Sequence, residues 1–115
     1  TRKKIFNIYL NALSENKKVF CVNDSSNKKI HAAWLFTIYL NNKDEVQKKL
    51  RENFIETNQV HFRNDKYTIF KKFIKGQKFK NMDLIENKYL VLPLHHKVTV
   101  NDAKFICKII NKHAK

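Results

Sequence analysis

The chain has 115 residues, of which 43% are apolar and 12% aromatic. That suits one domain with a single core and excludes a disordered polymer. The formal net charge is +14, with 24 Lys and Arg against 10 Asp and Glu. No apolar run approaches the roughly 20 residues that cross a bilayer.

The opening, "TRKKIFNIYL", is basic, but Asn7 and Tyr9 interrupt its apolar stretch and no small-residue cleavage site follows, which argues against a signal peptide. Thr1 stands first and the only methionine is Met82, so a processed product or a piece of a longer chain is expected. Across 2–16, Ile5, Ile8, Tyr9, Ala12 and Leu13 recur at helical spacing and predict an amphipathic helix. "VFCV" (19–22) reads as a short strand and "NDSSNKK" (23–29) as a polar turn. "HAAWLFTIYL" (31–40) is apolar on both faces, as a central strand would be, with Trp34 and Phe36 in the core and His31 as a structural histidine.

Asn42 or Asp44 can cap a helix running to about Glu52, with Val46 and Leu50 inward and Asn53 as a left-handed stop. "IETNQV" (55–60) predicts a further strand, and "QVHFRNDKY" (59–67) follows as a polar loop. "YTIFKKF" (67–73) predicts a short helix or turn broken by Gly76. Residues 81–94 suggest a helical turn feeding a strand, "YLVL", that stops at Pro93. The last helix begins at Thr99, where Asp102 three residues on approximates a capping box, and it buries Ala103, Ile106, Ile109 and Ile110. The order is α+β: a small, mostly antiparallel sheet with helices packed on one face.

Two motifs carry little chemistry. Cys21 and Cys107 are isolated, which favours reduced thiols in a cytosolic protein over a disulfide framework, and the five histidines show no zinc-ligand spacing. His95 and His96 are read as turn packing. The basic charge admits a small nucleic-acid-binding module as an alternative reading. However, lysine outnumbers arginine 21 to 3, and phosphate or base recognition draws on the bidentate fork of arginine. A lysine-rich surface is the simpler account.

"HAAWLFTIYLNNKDEVQKKLRENFIETNQVHFRND" together with "YLVLPLHHKVTVNDAKFICKII" resembles the C-terminal domain of the DegT/DnrJ/EryC1/StrS sugar aminotransferases. The shared features are a histidine-led strand, a helix leading into a strand and the substrate loop, an "LPLH" turn and a final helix of the "T..D...I...I" type. The resemblance implies the small C-terminal domain of a fold-type I, pyridoxal-phosphate enzyme, spanning 1–115, with the N-terminal cofactor-binding domain absent from this chain. It implies amination of a nucleotide-linked keto sugar, such as a dTDP-4-keto-6-deoxyhexose, to a 4-amino-4,6-dideoxyhexose. The amino donor would be glutamate and the whole enzyme a cytoplasmic homodimer. Phe54 stands where the family usually has glycine.

No residue here matches the family's Schiff-base lysine, so catalytic and cofactor-binding groups are expected elsewhere. In the loop, His61 is expected to hydrogen-bond near the sugar or its phosphate. Arg63 is expected to pair with an anionic oxygen, and Asn64 to bond the hexose or brace the loop. Asp65 would orient Arg63 or cap the turn that follows. The plain alternative is a surface turn closed by an Arg63–Asp65 ion pair. A degenerate interaction domain that has lost its cofactor half is the third reading.

Overall fold

The helical repeat near the start forms α1, Arg2–Leu13, and buries Ile5, Phe6, Tyr9 and Leu13. The stripe is therefore turned slightly from the expected one, taking in Phe6 and leaving Ile8 and Ala12 at its margin. The computed structural model describes residues 1–22 and 32–115, so the turn over 23–29 and His31 lie outside the described residues.

Among the described residues the sheet has three antiparallel strands, β1 (Phe20–Val22), β2 (Phe36–Tyr39) and β3 (Tyr89–Leu92), in the order β1-β2-β3. Cys21 pairs with Ile38, and Phe36 and Ile38 pair with Leu92 and Leu90. Since side chains alternate along a strand, these five residues share one face. They are buried against the helices, with the Phe36 ring 4.8 Å from Phe6 and 5.1 Å from Tyr9. α2 (Lys43–Glu52) and α5 (Val100–His113) complete that layer. The Tyr9 hydroxyl donates to the Pro93 carbonyl at 2.8 Å, which ties α1 to the end of β3.

The α+β architecture is as read from the sequence, with the long helices on one face of the sheet. β2 is central, but its second face, carrying Thr37 and Tyr39, is only half-buried. Trp34 is not core. It lies ahead of β2 and is 62% exposed. The reason is local: the chain is still irregular there, so the alternation of β2 has not begun.

α5 starts with the capping box: the Thr99 hydroxyl accepts from the Asp102 N–H, and the Asp102 carboxylate accepts from the Thr99 N–H at 2.8 Å. α2 ends differently from expectation. Asn53 holds φ −103°, and Phe54 takes the left-handed position at φ 60°. The hydrogen bonds explain why. Phe54 N–H donates to Arg51 O and Ile55 N–H to Leu50 O, a pairing that requires the left-handed residue one place beyond the cap. Phe54 is fully exposed, so its ring contributes no packing to offset the left-handed strain. Phe54→Gly is expected to stabilise the chain by about 1 kcal/mol in chemical denaturation. A loss would mean that the ring is held by a contact outside this chain.

The strand expected over 55–60 reduces to one antiparallel bridge, Asn58 with Val91. The Gln59 side chain bonds instead to the carbonyls of Glu86 and Tyr89, the second being the acceptor that a ladder continued to Val60 would use. Beyond it, two 3-10 turns (Asn64–Lys66, Thr68–Phe70), α3 (Lys71–Ile74) and α4 (Lys80–Ile85) form an excursion before β3.

Candidate functional site

The excursion carries an unusual number of exposed aromatics for its length. Phe62, Tyr67, Phe70 and Phe73 are all at least 39% exposed. Together with the open face of the sheet, notably Thr37 and Tyr39, they line a groove of about 990 Å³. Its size is that of a small-molecule cleft. His61, Arg63 and Asn64 all border it. A second groove of about 670 Å³, near Phe54, His95 and Phe105, includes none of the three.

The three expected site residues stand differently. His61 is exposed, its ring 6.4 Å from that of Trp34. Its backbone is fixed from below, because the Tyr89 hydroxyl donates to the His61 carbonyl at 2.6 Å. Asn64 is exposed at the start of a 3-10 turn closed by Lys66 N–H to Arg63 O and Tyr67 N–H to Asn64 O, each 3.2 Å.

Arg63 is buried. Its Nε and Nη2 donate to the two Asp65 oxygens at 2.9 and 2.6 Å, the bidentate fit of a planar guanidinium to a carboxylate. Its Nη1 donates to Asp83 at 2.6 Å and to Glu86 at 3.1 Å. Lys66 reaches the other Glu86 oxygen at 2.6 Å. Asp65 thus orients Arg63 rather than capping the turn, whose N-cap is Arg63 with no side-chain cap bond.

The charges act on one another. The hydrogen bonds from Arg63 hold the Asp65 carboxyl below its ordinary range, and those from Lys66 and then Arg63 do the same for Glu86. A carboxyl with a depressed folded pKa adds stability above its unfolded value, near 4, and loses it as pH falls through the folded value. Amide protection factors over 59–67 are therefore expected to be flat from neutral pH down to about 5 and to drop below about 4. Equal protection at pH 3 and pH 7 would show that the ion pairs do not hold the loop.

Sequence reasoning singled out the loop but missed what supports it. Tyr89, Asp83 and Glu86 are 20 or more residues away, and the readable signal was the spacing of Asp83 and Glu86, three apart along one side of a short helix. The aromatic wall had a signal too, since the apolar residues of 67–79 follow no buried stripe. The remaining candidates are quiet. His95 and His96 lie in a turn, as expected, but are exposed there rather than packed, and burial pushes the Cys21 thiol up to about 11 and the Cys107 thiol up to about 12, so both stay protonated. Among the described residues, no helix is long and apolar enough to cross a membrane.

Comparison with known proteins supplies the family. A model of the DegT/DnrJ/EryC1/StrS aminotransferase family matches residues 1–111. Comparison with curated protein sequences gives no match. Among solved structures, the sugar aminotransferase CalS13 from Micromonospora echinospora superposes with a TM-score of 0.86 at 15% identity, over 97% of this chain and 30% of that one. Helicobacter pylori PseC, an aminotransferase involved in the biosynthesis of pseudoaminic acid, gives 0.80 at 16% identity, over 98% of this chain and 32% of that one. The PLP form of Spr1654 from Streptococcus pneumoniae gives 0.76 at 15% identity, over 96% and 30%. The chain spans about a third of the length of these structures. At such identities the superpositions speak for the fold, whereas the match over nearly every residue decides the family: the chain belongs to the DegT/DnrJ/EryC1/StrS aminotransferases.

Proposed function

We propose that residues 1–115 are the C-terminal, substrate-contacting domain of a PLP-dependent enzyme that transfers an amino group to a nucleotide-linked keto sugar. The sugar class is a dTDP-4-keto-6-deoxyhexose or a close relative, the product a 4-amino-4,6-dideoxyhexose, and the donor glutamate. The observation that carries this reading is the polar loop at the rim of an aromatic groove in a chain of this family. An aromatic wall can take the apolar face of a deoxy sugar or a base, and a polar rim can bond hydroxyl and phosphate oxygens. His61 and Asn64 meet the substrate directly in this reading, and Arg63 belongs to the same loop.

The residues described here do not fit a pyridoxal phosphate site of their own. Among the described residues, no lysine lines the groove, and the one buried lysine, Lys43, is paired with Asp44 at 2.8 Å. In this reading the cofactor belongs to another part of the whole enzyme, in a domain N-terminal to this one. This domain would bind and orient the sugar and help to exclude water. A homodimer in the cytoplasm is the assembly proposed. The nucleic-acid alternative draws no support from the family or from the solved structures.

The test is a reaction of the whole enzyme, loaded with PLP, with glutamate and dTDP-4-keto-6-deoxyglucose, followed by mass spectrometry of the sugar nucleotide. Replacement of the keto oxygen by an amino group is expected. A cofactor-loaded enzyme that aminates no nucleotide-linked keto sugar would overturn the reading.

A further inference from the structure

We infer that Arg63 is the positioning residue of the substrate loop: it straps the segment bearing His61 and Asn64 to α4 and its C-cap, and spends its charge inside the protein rather than on the substrate. The inference rests on the reading of 59–67 as the substrate-contacting loop.

Three observations carry it. The first is enclosure. The Arg63 side chain is 6% exposed and makes four hydrogen bonds, all to carboxylates. The second is charge. Asp65, Asp83 and Glu86 bring three negative charges to a site where Arg63 and Lys66 bring two positive ones. A phosphate approaching Arg63 would meet a surplus of negative charge and would have to displace a carboxylate already in place. The third is connection. Asp65 lies two residues from Arg63, while Asp83 and Glu86 lie 20 and 23 residues on, so one rigid guanidinium joins the loop to a separate helix.

Other tethers bracket the same segment. The Gln59 side chain bonds to the Glu86 and Tyr89 carbonyls, and the Tyr89 hydroxyl holds the His61 carbonyl. Arg63 thus closes the far side of a loop whose near side is already pinned. Lysine at this position would keep the charge and lose the fork that reaches three carboxylates at once.

The experiment uses Arg63→Lys, Asp83→Asn and their combination in the whole enzyme, with amide exchange over 59–67 measured alongside. Both single variants are expected to raise the sugar-nucleotide KM and leave the amino-donor half-reaction unchanged. The fall in kcat/KM is expected to be on the order of 10- to 100-fold, as for a misplaced site. The double variant should be no worse than the weaker single, because both cut the same strap. If Arg63→Lys lowers global stability, Glu86→Gln makes the same comparison with a milder change.

A KM that rises in Arg63→Lys but stays at the wild-type value or falls in Asp83→Asn would overturn the inference, for it would mean that Arg63 binds the anion itself. Loop exchange unchanged in Arg63→Lys would overturn it as well. Wild-type enzyme that aminates no keto sugar counts against the proposed function alone, since the exchange measurement still decides whether Arg63 is the strap.

Discussion

Phe36→Ala is expected to cost about 3–5 kcal/mol of folding stability, as for a large aromatic deleted from a core. The ring is 1% exposed, sits on the middle strand and touches α1 through Phe6 and Tyr9, while its strand partner is Leu92. Its removal leaves a hole between two layers that cannot both move in, because β2 is hydrogen-bonded on each side. Domains of ordinary size have about 5–15 kcal/mol in total, so much of the margin would go. Urea denaturation of the chain followed by circular dichroism checks this. A loss under about 1 kcal/mol would mean that the two layers collapse onto the gap.

The second large effect concerns the proposed site. In the whole enzyme, His61→Ala and Asn64→Ala are each expected to lower kcat/KM for the sugar nucleotide about tenfold, the worth of one hydrogen bond. The amino-donor half-reaction should keep its rate. The structure makes these substitutions interpretable. The loop near His61 is held through its carbonyl, and the turn at Asn64 is closed by backbone bonds, so truncating either side chain leaves the fold of the loop intact. An unchanged kcat/KM for either variant would remove that residue from the site.

The parts of the fold legible in the sequence were those fixed by local chemistry. The stripe of α1, the "YLVL" strand and the Thr99–Asp102 capping box all depend on residues a few positions apart. The misreadings had different sources, one a distant partner and two the local backbone. The expected strand at 55–60 gave way because Gln59 finds carbonyls in the α4–β3 turn, and Trp34 looked like core because an apolar run hides which side will be covered. Phe54 took the place expected of Asn53 because the hydrogen-bond pattern at the helix end outweighs residue preference. At the candidate site, the polar character of the loop was legible from its composition, but the burial of Arg63 was not. Two of its partners, Asp83 and Glu86, stand 20 and 23 residues on, in α4 and at its C-cap, and only their spacing of three pointed to a shared side.

The packing of α1 along α5 bears on how the chain is made. The Asn16 side chain donates to Asn111, and Asn111 donates back to the Ala12 carbonyl, contacts that bridge 95 and 99 residues. During synthesis Phe6 and Tyr9 can close early on Phe36 of β2, but the side of α1 that faces α5 stays open until α5 has emerged. Closure between such distant segments is slow, and open apolar surface invites misassembly in the interval. For this chain, chaperone demand at the ribosome should therefore be governed by the arrival of α5, whatever the stability of the finished domain.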